Sequence, residues 1–301
     1  MEKILTQTLD KIAKQLSETP VNTGMCHIRR RGEPLPSQSK VKEIVSLCRA
    51  LIFPGFFGDS GVTQQNMRYH AGLNIERLSM LLIDQIVAGK CIEAPCCQPL
   101  DVDSLTKDAI PLCDAFIRQL PELRRVLMTD VEATYKADPA ALSIEEVIYC
   151  YPSILATSAY RVAHLLHTLD VPVIPRMITE LAHSETGIDI HPAATIGESF
   201  TIDHGTGIVI GATCIIGDNV KIFQGVTLGA KSFKLDENNN PIKGIPRHPI
   251  IGNNVVVYAN ATILGRITIG DNAIIGGNLW VTEDVAPGEK IVQAPAKENR
   301  G

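Results

Sequence analysis

An aspartate and a histidine stand side by side as Asp203 and His204, in the segment "TIDHGTG". A third candidate, Asp189, precedes Asp203 by fourteen residues. A carboxylate that accepts a hydrogen bond from one imidazole nitrogen fixes the tautomer and leaves the other nitrogen free to take a proton. Such a pair can activate a hydroxyl towards a thioester without a nucleophilic protein side chain. The plain alternative is a histidine that is hydrogen-bonded into a turn.

A second set of candidates is Arg247 and His248, in the segment "IPRHP". A guanidinium suits bidentate binding of a carboxylate, although a solvated loop arginine is an equal alternative on composition alone. Asp138, in "ADPAA", is interpreted from its own chemistry as an acid near a helix N-terminus. The remaining histidines have no comparable context and are interpreted as structural: His27, His70, His164, His167, His183 and His191.

A six-residue repeat of aliphatic side chains runs through residues 188–293 and must position these groups. Such a repeat is typical of a parallel β-helix, in which each unit makes one short strand and one turn. Three units complete one coil, and the coils wind left-handed if the hexapeptide form is typical. The repeating positions include Ile196, Ile202, Ile210, Ile216, Ile222, Leu228, Ile251, Val257, Ile263, Ile269, Ile275 and Val281.

The repeat is interrupted twice, and each interruption carries a histidine. Ile210 follows Ile202 by eight residues instead of six, and the extra residues fall beside His204. Residues 230–248 form the second interruption, whose Asn, Asp, Pro and Gly content predicts an excursion loop. Because one coil takes about 18 residues, Asp189 is expected to lie nearly one turn from His204 and to approach it. Interruptions of a rigid scaffold are where function tends to be added.

Residues 1–187 carry helical signals and are predicted to form an all-α domain. Apolar residues of "SKVKEIVSLCRAL" recur on one helical face, and Ser143 with Glu146 forms a capping box. Helix breaks are predicted at Pro121, in "ADPAALS" and at Pro152. The β-helix is expected over 188–293, and a short tail over 294–301.

Composition excludes several classes of protein. The net charge of -5 and the pI near 5.9 argue against nucleic-acid binding. No run approaches the roughly 18 apolar residues of a membrane span, and the N-terminus does not resemble a signal peptide, so a cytoplasmic protein is expected. The cluster of Cys91, Cys96 and Cys97 lacks the spacing of a zinc site, and no metal is predicted.

Four segments together resemble a known family. "DIHPAATIG", "DHGTGIVIG", "QGVTLGA" and "RHPIIG", in this order behind a helical domain, resemble serine acetyltransferases of the hexapeptide-repeat acyltransferase superfamily. The resemblance is dense from about Asp138 to Ile291 and is closer to the longer bacterial branch. It implies an all-α domain followed by a left-handed parallel β-helix. It also implies transfer of acetyl from acetyl-CoA to L-serine, giving O-acetyl-L-serine and CoA, the first step of cysteine biosynthesis.

The resemblance also implies roles for the candidate residues. His204 matches the catalytic base and Asp189 its carboxylate partner. The serine-binding residues are then Asp138, Asp203, Arg247 and His248, so the resemblance overrides the capping interpretation of Asp138. The acyl donor is expected along the outside of the prism, where small residues let the pantetheine arm approach, near Gly229, Ala259 and Gly277.

The same resemblance implies the assembly, and the chain departs from the family pattern in three places. A homotrimer, or a dimer of trimers, is expected, because an adjacent prism completes each site in the family. Ala212 stands where compact members have Glu, and "LGAKSFK" replaces "LGGTGK". The chain ends in "VQAPAKENRG" without a terminal isoleucine, so a complex with O-acetylserine sulfhydrylase is not expected.

Two alternatives stay open at this point. One is a hexapeptide acyltransferase that acts on another amino acid or on a sugar, and the other is a non-catalytic β-helix scaffold. The set of Asp138, Asp203 and Arg247 suits a zwitterionic amino acid better than a sugar. A scaffold has no need of Asp189 and His204 together.

Overall fold

The computed structural model describes residues 2–18, 33–59, 61–94 and 100–293. The predicted tail 294–301 lies outside these residues, as do Cys26, His27, Cys96 and Cys97. No described helix is long and apolar enough to cross a membrane. The described helices are α1 (Glu2–Ser17), α2 (Gln38–Ile52), α3 (Met67–Glu93), α4 (Val102–Ala137), α5 (Ile144–Cys150), α6 (Pro152–Thr168) and α7 (Ile174–Thr186).

Helix α2 illustrates how the helical part forms its core. Its side chains of Val41, Ile44, Cys48 and Leu51 are buried, as the helical periodicity predicted. They belong to one apolar cluster with residues of α3, α4, α6 and α7. The Ser37 side chain accepts a hydrogen bond from the backbone N–H of Lys40 and so caps the first turn.

Helix α4 shows that the break predicted at Pro121 is wrong. The helix runs from Val102 to Ala137 with Pro111 and Pro121 inside it. An interior proline costs about 3 kcal/mol, because it removes one N–H from the helix ladder. Burial of a leucine side chain contributes roughly 1.5–3 kcal/mol, and Leu123 and Leu127 are both buried just after the proline. Packing therefore outweighs the local preference.

The next two helices begin where the sequence predicted. The Ser143 Oγ atom accepts a hydrogen bond from the backbone N–H of Glu146 at 3.2 Å. The Glu146 carboxylate accepts one from the backbone N–H of Leu142 at 2.8 Å, one residue before the usual capping-box donor. Helix α6 begins at Pro152. The first N–H groups of a helix have no intrahelical partner, so the missing N–H of proline costs no hydrogen bond at this position.

The second part of the chain is a parallel β-helix, as the six-residue repeat predicted. Its strands form three parallel sheets with the orders β1-β4-β7-β10-β13, β2-β5-β8-β11 and β3-β6-β9-β12-β14. We call these the first, second and third sheets. The strands are β1 (Asp189–Ile190), β2 (Thr195–Ile196), β3 (Thr201–Asp203), β4 (Val209–Ile210), β5 (Ile215–Ile216), β6 (Lys221–Phe223), β7 (Thr227–Gly229), β8 (Ile250–Ile251), β9 (Val256–Val257), β10 (Thr262–Leu264), β11 (Thr268–Ile269), β12 (Ile274–Ile275), β13 (Trp280–Val281) and β14 (Lys290–Ile291).

Strand pairing stacks equivalent residues of successive coils. In the third sheet Ile202 pairs with Ile222, Ile222 with Val257, and Val257 with Ile275. These side chains fill the interior of the prism, and all four are buried. A position along one coil therefore lies directly above its equivalent in the next coil, so the repeat converts sequence spacing into columns along the prism.

A buried ion pair joins the helical part to the first coil. Arg161 of α6 donates from Nε to Asp130 Oδ2 at 2.6 Å and from Nη2 to Asp130 Oδ1 at 2.8 Å. The guanidinium also donates to the Gly197 carbonyl at 2.7 Å, and Asp130 accepts from the backbone N–H of Phe200 at 2.9 Å. Each member of the pair thus contacts both the helices and the β-helix.

We expect Asp130→Asn to destabilise the fold by about 3–5 kcal/mol, because it leaves the Arg161 guanidinium buried without its counter-charge. Urea unfolding followed by circular dichroism measures the change. The control is Asp114→Asn, which removes an exposed partner of Arg118 at 2.7 Å and should cost much less stability. Equal losses in the two variants would contradict the assigned role of the buried pair.

Candidate active site

The turn after β3 presents His204 at an edge of the prism. His204 has φ 57° and a side chain that is 78% exposed. Gly205 follows with φ 89°, and a Cβ atom there would lie 2.6 Å from Ile188 Cδ1. Only glycine fits this position, because the backbone is left-handed and the space is filled. The interruption of the repeat therefore forms a tight corner that displays an imidazole.

Asp203 is held from two sides. Its Oδ2 atom forms an ion pair with Lys221 Nζ at 2.9 Å, and its Oδ1 atom lies 3.8 Å from His204 Nε2. Lys221 also donates to the carbonyl of Ala137, the last residue of α4, at 3.0 Å. The sequence interpretation missed Lys221. The signal that could have found it is the register, which pairs β6 with β3 and so brings a lysine beside Asp203.

Asp138 lies at the C-terminal end of α4, so its interpretation as an N-terminal acid is wrong. Its Oδ2 atom accepts a hydrogen bond from the Tyr151 hydroxyl at 2.5 Å, and its Oδ1 atom accepts from the backbone N–H of Ala140 at 2.8 Å. These bonds, and then the charges of Lys221 and His204, lower the pKa of Asp138. The carboxylate is therefore held in its ionised form, and Lys221 and His204 are close enough for their charges to act on it.

Asp189 does not meet His204 within the described chain. Its carboxylate lies 3.8 Å from Arg176 Nη1, and among the described residues no hydrogen bond or ion pair joins it to His204. The reason is topological, because Asp189 is on the first sheet and His204 follows the third. The side chains of Glu180, His183 and Asp189 each bring one ligand atom within 4.8 Å of the others. Arg176 already contacts Glu180 as well as Asp189 and supplies a positive charge there.

His248 is buried at the end of the 230–248 loop, and its tautomer can be assigned from its contacts. Its Nδ1 atom accepts a hydrogen bond from the backbone N–H of Thr213 at 3.1 Å, which leaves the ring proton on Nε2. Burial, and then the charges of Arg247 and Arg266, lower the pKa of His248 to about 4. The imidazole is therefore neutral and can donate one hydrogen bond.

Arg247 lies beside His248 with part of its guanidinium unsatisfied. Its Nε atom is buried and has no hydrogen-bond partner in the described part of the chain. The guanidinium carbon lies 5.7 Å from the centroid of the Phe233 ring, which belongs to the same loop. An unpaired buried donor on a cationic group favours an anionic ligand.

The candidates thus form two groups. We call Asp138, Asp203 and His204 the acid–imidazole group. We call Asp189, Arg247 and His248 the arginine group, because Asp189 is on the first sheet and the other two contact Thr213, three residues after β4 of that sheet. Burial, and then the charges of Arg176, His167, His248 and Arg247, lower the pKa of His191 to about 4.

The residues predicted to contact the acyl donor do not all lie at the same edge of the prism. The second residue after each paired isoleucine or valine of the third sheet is His204, Gln224, Ala259 or Gly277, so these residues share one edge. A Cβ atom on Gly277 would lie 3.0 Å from the Ala259 carbonyl oxygen, which confirms that the two stack. Gly229 lies instead on the first sheet, paired with Leu264.

Sequence comparisons show which proteins the chain is similar to. Residues 248–283 match the family described as "Bacterial transferase hexapeptide (six repeats)". A relative from Synechococcus elongatus, "Serine acetyltransferase, plasmid", is 44% identical over 297 residues, which are 97% of this chain and 92% of the relative. A serine acetyltransferase of Bacillus pumilus is 41% identical over 184 residues, 58% of this chain and 81% of that protein.

The chain belongs to the serine acetyltransferase family. It is an acetyltransferase that acts on serine in cysteine biosynthesis, and the family uses acetyl-CoA as co-substrate. The whole-chain similarity sets aside the alternatives of a scaffold and of another acceptor.

Solved structures of serine acetyltransferases share both parts of the fold. Isoform 3 of Entamoeba histolytica, in complex with cysteine, has a TM-score of 0.71 at 30% identity and covers 100% of this chain and 96% of its own. Serine acetyltransferase 1 of the same organism, in complex with L-cysteine, has a TM-score of 0.72 at 31% identity, with 92% and 94% covered. The soybean enzyme complexed with serine has a TM-score of 0.53 at 29% identity, with 86% and 98% covered.

Proposed function

We propose that His204 activates the serine hydroxyl for direct attack on acetyl-CoA, in a site that two neighbouring subunits share. The observation that carries this proposal is the convergence of three groups at one edge of the prism. Asp138 comes from the helical part, Asp203 and His204 come from the β-helix, and Lys221 contacts both parts. The His204 imidazole is exposed and lies beside Asp203, and its charge also acts on Asp138.

Serine binds as a zwitterion in this proposal. Its ammonium lies between Asp138 and Asp203, since Lys221 contacts Asp203 directly and the residue before Asp138. Its carboxylate lies against Arg247 and the Nε2–H of neutral His248, supplied by the neighbouring subunit. The unpaired Nε–H of Arg247 supports this role, because a carboxylate would satisfy it.

The proposed reaction needs one general base. A ring nitrogen of His204 takes the serine hydroxyl proton while the hydroxyl oxygen forms a bond to the thioester carbonyl carbon. The tetrahedral intermediate then collapses, the carbon–sulfur bond breaks, and the imidazolium returns the proton to the CoA thiolate. Asp189 of the neighbouring subunit orients and stabilises the imidazolium, since Asp189 lies with the arginine group rather than with His204 of its own chain.

Acetyl-CoA lies along the edge below His204. The small residues Ala259 and Gly277 leave room for the pantetheine arm, and they share their column with His204. Gly229 belongs to the face that carries the 230–248 loop, so we propose that the neighbouring subunit supplies it to the other wall. A homotrimer, alone or paired with a second trimer, has the symmetry to form three such sites.

We expect His204→Ala to lower kcat by roughly 10²–10⁴-fold, because general-base assistance is lost. The affinity for CoA should be retained, because His204 lies at the end of the edge along which acetyl-CoA is proposed to bind. Asp189→Asn should also lower kcat. Thiol release with acetyl-CoA and serine measures turnover, and calorimetry measures CoA binding. The control is His70→Ala, which removes an imidazole paired with Asp59 in the helical part. Near wild-type turnover in folded His204→Ala would remove His204 as the base.

A mixing experiment tests the shared site. Subunits carrying His204→Ala and subunits carrying Arg247→Ala should each be nearly inactive alone. In mixed trimers one site in three receives an intact acid–imidazole group and an intact arginine group. Equal co-expression should therefore restore about a quarter of wild-type activity. Activity that stays at the level of the single variants, in trimers shown to be mixed by mass spectrometry, would place the site within one chain.

The Tyr151 hydroxyl is the largest cause of the low pKa of Asp138, which yields a pH-dependent prediction. An acid with a depressed pKa keeps its charge down to lower pH, so serine binding should weaken only as the pH falls through that pKa. Tyr151→Phe raises the pKa of Asp138 towards its ordinary value, and the weakening should therefore begin at higher pH.

Serine binding is measured by calorimetry in a His204→Ala background, so that the titration of the base does not mask that of the acid. The control is Tyr149→Phe, since Tyr149 packs against Phe56 with ring centroids 5.2 Å apart, and neither ring contacts Asp138. Identical pH profiles for the Tyr151 and Tyr149 variants would show that Asp138 does not bind the ammonium.

A further inference from the structure

Lys221 is the residue through which the two carboxylates of the acid–imidazole group are connected. Its ammonium lies 2.9 Å from Asp203 Oδ2 and 3.0 Å from the carbonyl oxygen of Ala137. Ala137 immediately precedes Asp138, so the same ammonium holds one acid directly and the other through its backbone. The Lys221 and Asp203 side chains are only 20% and 19% exposed, which limits screening of the pair by water.

The Lys221 ammonium also completes helix α4. The last carbonyls of a helix have no intrahelical partners and carry the negative end of the helix dipole. Lys221 donates to one of these carbonyls at the end of a 36-residue helix. The end of α4 is thereby attached to strand β6, on the sheet whose first strand carries Asp203.

Two aromatic rings define where the ammonium lies. Lys221 Nζ is 4.6 Å from the centroid of the Phe223 ring, and this ring stacks on Tyr258 with centroids 5.1 Å apart and an angle of 13°. An ammonium is attracted to the face of an aromatic ring, so the rings favour the observed position over a rotation into solvent. The lysine is positioned by its surroundings rather than by one partner.

We infer that Lys221 is a positioning residue, which sets the separation and the charge of the Asp138–Asp203 pair that receives the substrate ammonium. The inference rests on the proposed function of these two acids. Two carboxylates at one edge repel each other, and the positive charge of Lys221, which pairs with Asp203 and also acts on Asp138, offsets that repulsion. Together with the Lys221 ammonium, the two carboxylates carry one net negative charge, which one substrate ammonium balances.

The test is Lys221→Met, which keeps most of the side-chain length and removes the charge. We expect the KM for serine, and the calorimetric dissociation constant for serine, to rise by roughly 10- to 100-fold, the range for loss of a hydrogen bond between charged groups. The KM for acetyl-CoA should change by less than about 2-fold, because Lys221 does not line the edge of Ala259 and Gly277. Lys221→Arg should recover most of the serine affinity.

The matched control is Lys136→Met, in the last turn of helix α4. Lys136 is 74% exposed and pairs with Glu132 at 3.5 Å, so this variant removes a nearby positive charge without touching Asp203. Its serine KM should stay within about 2-fold of the wild-type value. If Lys221→Met does not fold, Lys221→Gln is measured by the same criteria.

Three results would overturn the inference. They are an unchanged serine KM in the folded variant, a parallel rise of both KM values, and an arginine variant as impaired as the methionine variant. The wild-type protein tests the proposed function separately. Absence of serine-dependent thiol release by the wild type would remove that function, whereas an active wild type with an unaffected Lys221→Met would remove only the role of Lys221.

Discussion

The fixed orientation of the helical part on the first coil is the constraint on which the rest of the structure depends. The buried pair of Asp130 and Arg161 provides it, since both side chains bond to each other and to backbone groups of the first coil. Asp138 lies two helical turns beyond Asp130 on the same helix. Any rotation of α4 about this anchor would move Asp138 away from Asp203, so the geometry of the site is inherited from a contact remote from it.

A second constraint is the register of the coils. Parallel pairing with three repeats per coil aligns equivalent positions, so that the interruption at His204 does not disturb the columns below it. The prism is rigid because its interior is a continuous stack of aliphatic side chains. A rigid prism can display one exposed imidazole at a defined height above Ala259 and Gly277. Function is therefore added at the edges without loss of the core.

The charges of the site follow from these two constraints. Asp138 is kept ionised by donors from its own turn and from Tyr151, while His248 is kept neutral by burial beside two arginines. Opposite environments thus give one anionic group and one neutral hydrogen-bond donor, which are the two groups that the proposed binding of a zwitterion requires. The separation of these groups within one chain is the physical reason for proposing that neighbouring subunits face each other across the substrate.

The sequence by itself determined the fold class and the identity of the chemical groups. The six-residue periodicity specifies a β-helix because the aliphatic positions must face inward. The two interruptions of the repeat identified His204 and the 230–248 loop. The tertiary structure alone decided the features that depend on competition between neighbours. Burial of Leu123 and Leu127 kept α4 continuous through Pro121, and the end of that helix placed Asp138 at a C-terminus instead of an N-terminus. The corner between sheets separated Asp189 from His204, and the register brought Lys221 to Asp203. The spacing of residues along the chain specifies the period of the repeat. It does not encode the packing that decides which side chains meet across a corner.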